Sequence, residues 1–237
     1  MNNIGQRFLN EINLDYEDKG HFFKKLIQNP NDFLTWDDVE YCINKPELFE
    51  FELIDKYNNK IEIPVHKKTW IYYKPVYDKQ FIIDHVNSGC TLVIPNYGSY
   101  SNKTYELCNT FEKLFDVHAA IHVYCGLSGS QSFSIHDDYP ANVIIQVEGK
   151  TQWKIFKNRI SYMYRTGRMN NKLTEDQLEV EIDVELEPGD ALYIPSRAYH
   201  VAYPTEKRLS MSIPCWNRMP TDPPETALDR RYYKING

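Results

Sequence analysis

Residues 180–194 read Val-Glu-Ile-Asp-Val-Glu-Leu-Glu-Pro-Gly-Asp-Ala-Leu-Tyr-Ile. Val180, Ile182, Val184 and Leu186 alternate with Glu181, Asp183 and Glu185, the period of a strand with one buried and one wet face. Pro188-Gly189-Asp190 is a turn, and Ala191 to Ile194 follows as a short apolar strand. The texture extends to both sides: Ala120 to Tyr124, Asn142 to Val147, Thr151 to Phe156 and Leu209 to Ile213 also read as strands. Six or more short strands within roughly 100 residues predict a mainly β fold, a barrel or jelly roll.

Upstream the pattern changes. Thr35-Trp-Asp-Asp38 resembles a capping box with Asp in the Glu position, and apolar residues at 36, 39 and 43 follow with helical spacing. Asp78 to Asn87 carries Phe81, Ile82 and Val86 before a Ser-Gly89 stop. Leu107, Phe111, Leu114 and Phe115 form a third helical stripe. Phe51 to Ile54 and Ile61 to Val65 flank Tyr-Asn-Asn, a hairpin turn. Residues 1–117 are therefore expected to form a mixed, largely helical annex, residues 118–217 the β core, and 218–237 a tail. Asn158 to Asp176, polar but carrying Tyr162, Tyr164 and Arg165, interrupts the β rhythm. It reads as a lid or binding loop, or else as a solvated surface excursion.

The chain has 237 residues, 14% of them aromatic, which excludes a disordered segment and allows a large core without disulfide staples. A net charge of −6 argues against a general nucleic-acid or anionic-membrane binder. The five Cys, at 42, 90, 108, 125 and 215, form no CxxC pair and read as buried thiols of a reducing compartment. The start, Met-Asn-Asn-Ile-Gly-Gln-Arg, lacks the apolar core of a signal peptide, and the apolar runs are strand-sized. A soluble cytoplasmic protein is expected.

His136-Asp-Asp138 and His200 are the candidate metal ligands. Positions i and i+2 of a strand share a face, so His136 and Asp138 can converge, and a His from a distant strand completes two imidazoles and a carboxylate. That facial set leaves coordination positions open, as in non-haem Fe(II) oxygenases.

The flanking text carries more. Gly129-Ser-Gln-Ser-Phe-Ser-Ile-His136-Asp-Asp138 leads into Asn142-Val-Ile-Ile-Gln-Val-Glu-Gly149-Lys-Thr-Gln-Trp153. Leu186-Glu-Pro-Gly-Asp-Ala-Leu-Tyr-Ile-Pro195 then leads to His200. Over roughly residues 80 to 216 the sequence resembles the cupin-like branch of the JmjC family, the 2-oxoglutarate-dependent oxygenases that include ribosomal-protein hydroxylases. The resemblance implies a double-stranded β-helix, with Fe(II), 2-oxoglutarate as cosubstrate and O2 at its open end. It also implies hydroxylation of a C–H bond, first of a protein or peptide side chain and second of a small molecule. The module that ribosomal-protein hydroxylases carry after the barrel is not expected in the short stretch beyond Trp216.

One position departs from the family. Fifteen residues after His136, where the family places a Lys or Arg that grips the distal carboxylate of 2-oxoglutarate, stands Thr151. A hydroxyl can hydrogen-bond a carboxylate but supplies no charge. Arg208-Leu-Ser210 offers another route, since an Arg-x-Ser pair after the distal His holds the cosubstrate in other branches of the superfamily; Lys150 is the remaining candidate. By the same registration Tyr124, His122, Asn142, Ser210 and Ser212 are pocket candidates, with Trp153 and Trp216 as core or pocket wall. Gly189, Pro195 and His200 also fit the general cupin second motif, with Arg197 where that motif has Gly. A ligand-binding or isomerase cupin with a metal is thus the rival reading.

Overall fold

The computed structural model describes residues 2–12, 19–68, 75–127, 133–159 and 173–216. Among the described residues the helices are α1 (Asn2–Glu11), α2 (Trp36–Asn44), α3 (Lys79–Asn87) and α4 (Asn102–Phe115). The early strands are β1 (His21–Phe23), β2 (Glu52–Ile54), β3 (Lys60–Ile61), β4 (Val65–Lys68), β5 (Pro75–Tyr77) and β6 (Thr91–Ile94). The later ones are β7 (His118–Ala119), β8 (His122–Gly126), β9 (His136–Asp137), β10 (Ala141–Glu148) and β11 (Thr151–Arg159). They continue with β12 (Val180–Leu186), β13 (Ala191–Ile194), β14 (Ala198–Pro204) and β15 (Arg208–Trp216).

Local chemistry starts and stops these elements. Thr35 and Asp38 form the reciprocal capping box that opens α2, the Thr35 N–H donating to the Asp38 carboxylate at 2.8 Å. Asn58 turns the β2–β3 hairpin in the left-handed region, at φ 66°. Gly89, at φ 100°, ends the last turn after α3, where a side chain would be strained.

Eight strands make a double-stranded β-helix. Its major sheet has the order β13-β10-β15-β8 and its minor sheet β12-β11-β14-β9, every pair antiparallel. Successive strands cross between the sheets except for the β11–β12 pair, which stays within the minor one. The early region extends the major sheet at both edges: β1 pairs with β13, while β6 pairs with β8 and carries β2 and β3. Helices cover the outer face of that sheet. Phe8 of α1 stacks on Phe23 of β1 at 4.8 Å and meets Tyr193 of β13 edge-on at 5.9 Å. Strand β10 is consequently buried on both faces, which explains its nearly continuous apolar text.

Three expectations shift. The second arm of the early hairpin, expected over Ile61 to Val65, pairs with β2 only at Lys60 and Ile61, and Val65 opens the separate strand β4. The strand expected from Ala120 starts at His122, because Ile121 gives its carbonyl to the Tyr97 N–H at 2.8 Å and leaves the ladder. Strand β14 was not anticipated: Tyr199, Val201 and Tyr203 on one face oppose Ala198, His200 and Ala202 on the other, so no polar–apolar contrast marks it. Of the proposed lid 158–176, residues 160–172 with Tyr162, Tyr164 and Arg165 lie outside the described residues, as do the tail 218–237, residues 129–132 and the Trp216 side chain. No helix among the described residues is long and apolar enough to cross a membrane.

Candidate metal centre

Strands β9 and β14 pair so that His136 stands directly opposite His200, with ring centroids 4.3 Å apart. Strand β9 ends at Asp137, so Asp138 is aimed by the turn rather than by strand alternation. Arg197, just before β14, donates its backbone N–H to the Asp138 carbonyl at 2.8 Å and holds that turn. One ligand atom from each of His136, Asp138 and His200 then falls within 4.8 Å of the other two.

Backbone carbonyls set the tautomers. His136 Nδ1 lies 2.8 Å from the Ser134 carbonyl and His200 Nδ1 lies 2.9 Å from that of Ala198. A carbonyl only accepts, so each Nδ1 carries the hydrogen and each Nε2 turns its lone pair toward the centre. Burial pulls His136 below its ordinary pKa, and the neighbouring His200 adds to that shift. Burial pulls on His200 too, but the Asp138 carboxylate and the Ala198 carbonyl outweigh it and hold His200 above its ordinary value. Asp138 Oδ2 lies 3.5 Å from His200 Nε2, so this carboxylate draws a positive charge, proton or divalent ion, to the same spot. Its side chain is 42% exposed, which leaves the site open on one side.

The partners of Asp138 run into the major sheet. Asn142 Nδ2 donates to Asp138 Oδ2 at 2.8 Å, and Ser212 Oγ donates to Asn142 Oδ1 at 3.3 Å. Ser212 pairs with His122 across one ladder and with Ile144 across the other; Ser210 pairs with Tyr124 and Gln146. Alternation therefore puts His122, Tyr124, Asn142, Gln146, Arg208, Ser210 and Ser212 on the inner face of the barrel. From the minor sheet, Thr151, Trp153 and Ile155 share the face of His200. Trp153 lies along His200 at 6.1 Å, a pocket wall. Burial lowers the pKa of His122 and raises that of Tyr124, so both are neutral groups inside the barrel. Lys150 is elsewhere: 42% exposed at the β10–β11 turn, it pairs with Glu187 at 3.1 Å and Glu185 at 3.4 Å.

Sequence reasoning missed three contributors. The Ser134 and Ala198 carbonyls carry no residue signature at all. Arg197 did have one, since it occupies a glycine position of the cupin motif: it adopts φ 66°, its guanidinium sits 4.5 Å over the Tyr139 ring, and it reaches Asp137 at 3.5 Å. Holding a non-glycine residue there costs about 1–3 kcal/mol, offset by clamping the residues that flank both early ligands.

Comparison with known proteins identifies the fold family. Residues 98–221, more than half of the chain, match the model of the JmjC domain. The chain belongs to the JmjC domain family. Among curated JmjC relatives, a bifunctional lysine-specific demethylase and histidyl-hydroxylase NO66 of Drosophila mojavensis is 28% identical over 180 residues, 70% of this chain and 20% of its own length. The protein of the same name from Dictyostelium discoideum is 29% identical over 119 residues, 50% of this chain and 23% of the relative. The chain thus spans under a quarter of these relatives. Among solved structures, Escherichia coli YcfD superposes with a TM-score of 0.60 at 18% identity, covering 98% of this chain and 65% of YcfD. YcfD in complex with cobalt and 2-oxoglutarate gives 0.60 at 17%, covering 98% and 64%. These two structures share the JmjC fold with this chain.

Proposed function

We propose that this JmjC chain is an Fe(II)- and 2-oxoglutarate-dependent oxygenase that hydroxylates a C–H bond of a protein or peptide side chain. The observation that carries the reading is the convergence of His136, Asp138 and His200 in a double-stranded β-helix, on the side that the half-exposed Asp138 leaves open. The residues suit the metal: two imidazoles with Nε2 lone pairs turned inward and one carboxylate form a facial set. They also suit an acidic cosubstrate, because the Thr151 hydroxyl and the Trp153 indole N–H are buried without a hydrogen-bond partner inside the same barrel. When bound, Fe(II) with 2-oxoglutarate and O2 supplies the oxidising power, and the cosubstrate leaves as succinate and CO2.

The chain's own groups do the rest. His136, Asp138 and His200 would hold the ion, leaving it free to take up cosubstrate and oxygen. Asn142 and Ser212 fix the Asp138 carboxylate from behind. Ile144, Trp153, Ile155, Leu192 and Ile194 line the barrel and exclude water from it. A protein substrate is favoured by relatives named as a histidyl-hydroxylase and a ribosomal oxygenase. Cytoplasmic placement agrees with five Cys that are all buried and free.

The test is to incubate the purified protein with Fe(II), 2-oxoglutarate, O2 and ribosomal proteins, peptides or metabolites. Gain of one oxygen atom on a protein, matched by succinate, is the expected result. Gain on a metabolite alone makes it a small-molecule hydroxylase. Metal binding with no response to 2-oxoglutarate at millimolar concentration returns it to the ligand-binding cupins.

A further inference from the structure

Thr151 and Arg208 lie in different sheets, yet the β10–β11 turn brings their strands together. Gly149, at φ 70°, packs so tightly on the start of β15 that a Cβ there would fall 1.9 Å from the Lys207 carbonyl oxygen and 3.2 Å from Arg208 Cα. Two residues later Thr151 enters β11, fully buried, with its Oγ1 unpartnered. Arg208 is only 3% exposed, and its neighbours Leu209, Met211 and Ile213 belong to the core on the opposite face of the sheet. Alternation therefore sets Arg208 on the inner face with Ser210 and Ser212. The polar floor of the barrel thus combines one cation from β15 with neutral donors from β11.

Depth favours the same assignment. Ile155 pairs with His200, and Thr151 pairs with Pro204 four residues further along. Thr151 thus lies about 13 Å along the strand from the metal end, at 3.3 Å per residue. A threonine rooted there offers a neutral hydroxyl at the floor of the pocket, whereas an arginine rooted at that depth carries its charge on a chain long enough to extend toward the metal end. Burial pulls Arg208 down to about 10, which still leaves it cationic near neutrality. The Tyr124 and Cys125 groups that act on its charge are themselves pushed upward by burial and stay protonated.

We propose that Arg208 binds the distal carboxylate of the dicarboxylate cosubstrate, with the Thr151 hydroxyl and the Trp153 indole N–H as neutral donors, so that the charged anchor has moved from β11 to β15. The assignment rests on the oxygenase reading above. It needs no cation at position 151, and it converts the family departure at Thr151 into a specific arrangement. The two ends of the ligand are then held by different strands: the 2-oxo acid by the metal of β9 and β14, the distal carboxylate by the start of β15.

Binding measured without turnover tests it. The full chain is loaded anaerobically with Mn(II), and its affinity is determined for 2-oxoglutarate and for pyruvate, which keeps the 2-oxo acid but lacks the distal carboxylate. The wild type should prefer 2-oxoglutarate. Arg208→Met, chosen to fill the same buried volume, should weaken 2-oxoglutarate roughly ten- to several-hundred-fold, the scale of a lost charge-assisted pair, and leave pyruvate and Mn(II) binding unchanged. The preference between the two acids should collapse. Thr151→Ala should weaken 2-oxoglutarate only a few-fold, as roughly expected for a neutral hydrogen bond. Adding Thr151→Lys to Arg208→Met should restore part of the preference, a result that a purely structural Arg208 would not give. Arg208→Met with a wild-type preference overturns the anchor alone. A wild type that binds Mn(II) but neither acid overturns the oxygenase reading and the anchor with it. Should Arg208→Met fail to fold, Thr151→Lys in the wild-type background decides: a second cation beside Arg208 changes 2-oxoglutarate affinity and spares pyruvate, whereas equal effects on both acids overturn the proposal.

Discussion

The two faces of the major sheet belong to the same strands but do different work. The outer face presents Val143, Ile145 and Val147 of β10, Leu209, Met211 and Ile213 of β15, and Val123 and Cys125 of β8, all inside the large core shared with the helices. One residue out of phase, the inner face presents Asn142, Gln146, Arg208, Ser210, Ser212, His122 and Tyr124. Stability is concentrated on one side, and polar groups able to meet a ligand on the other. The smaller apolar cluster inside the barrel, from Ile144 to Ala198, sits toward β13 and the minor sheet. A period-two pleat can serve both ends because each residue faces only one side.

If this division holds, substitutions on the two faces should separate cleanly. The largest effect falls on the metal. His200→Ala should lower Fe(II) affinity by more than about 100-fold, beyond what loss of outer partners usually costs, and leave the melting temperature of the metal-free protein close to wild type. Anaerobic titration checks it, and an unchanged affinity removes His200 from the centre. On the opposite face, Ile145→Ala opens a cavity at a fully buried site and should cost about 2–5 kcal/mol of unfolding free energy. Fe(II) affinity of the molecules that remain folded should not move. A denaturant titration paired with metal binding tests both halves, and a large change in affinity would break the division.

Asn142 probes the boundary between the two. It is buried, and its side chain donates to the Asp138 carboxylate, so Asn142→Ala should weaken Fe(II) roughly 10–100-fold, with the pH dependence of metal binding shifted as well. A loss of stability with affinity intact would mean that Asn142 belongs with the outer face after all.

The smallest effect lies at the edge of the sheet. Glu187, in the β12–β13 turn, is held down to about 2 by hydrogen bonds from Lys24 and Lys150, from an ordinary value of 4.5. A depressed carboxylate contributes its stability above pH 4.5 and loses it as pH falls from there toward 2. Glu187→Gln should therefore flatten the acid side of the stability profile slightly, with no change near neutrality in metal binding. A steeper acid limb in the variant would contradict the sign.

Much of the fold was legible because the signals are local. The alternation of Val180 to Leu186 marks a strand whose observed limits are the same, and the Pro-Gly-Asp turn hands it to Ala191–Ile194 as read. The capping box at Thr35 and the glycine stop at Gly89 likewise depend on a few neighbouring residues. Where a segment has no such contrast, as in β14, or where a distant group takes over a carbonyl, as Tyr97 does at Ile121, local reading gave no strand or the wrong boundary.

For the site, residue chemistry was in the text and geometry was not. Two His and one Asp stood in the text, and the resemblance of their flanking motifs to the JmjC family singled them out and marked the missing cation at Thr151. That His136 faces His200 depends on the register of β9 against β14, strands more than sixty residues apart in the chain. Which imidazole nitrogen faces the ion depends on two backbone carbonyls, and the aim of Asp138 depends on a left-handed arginine. The face taken by Arg208 likewise follows from how β15 registers with both of its neighbours. Period and turn chemistry are properties of a few adjacent residues and survive in a linear string. Register, tautomer and depth are settled only when distant strands exchange hydrogen bonds, because a slip of one residue would exchange the two faces of the sheet.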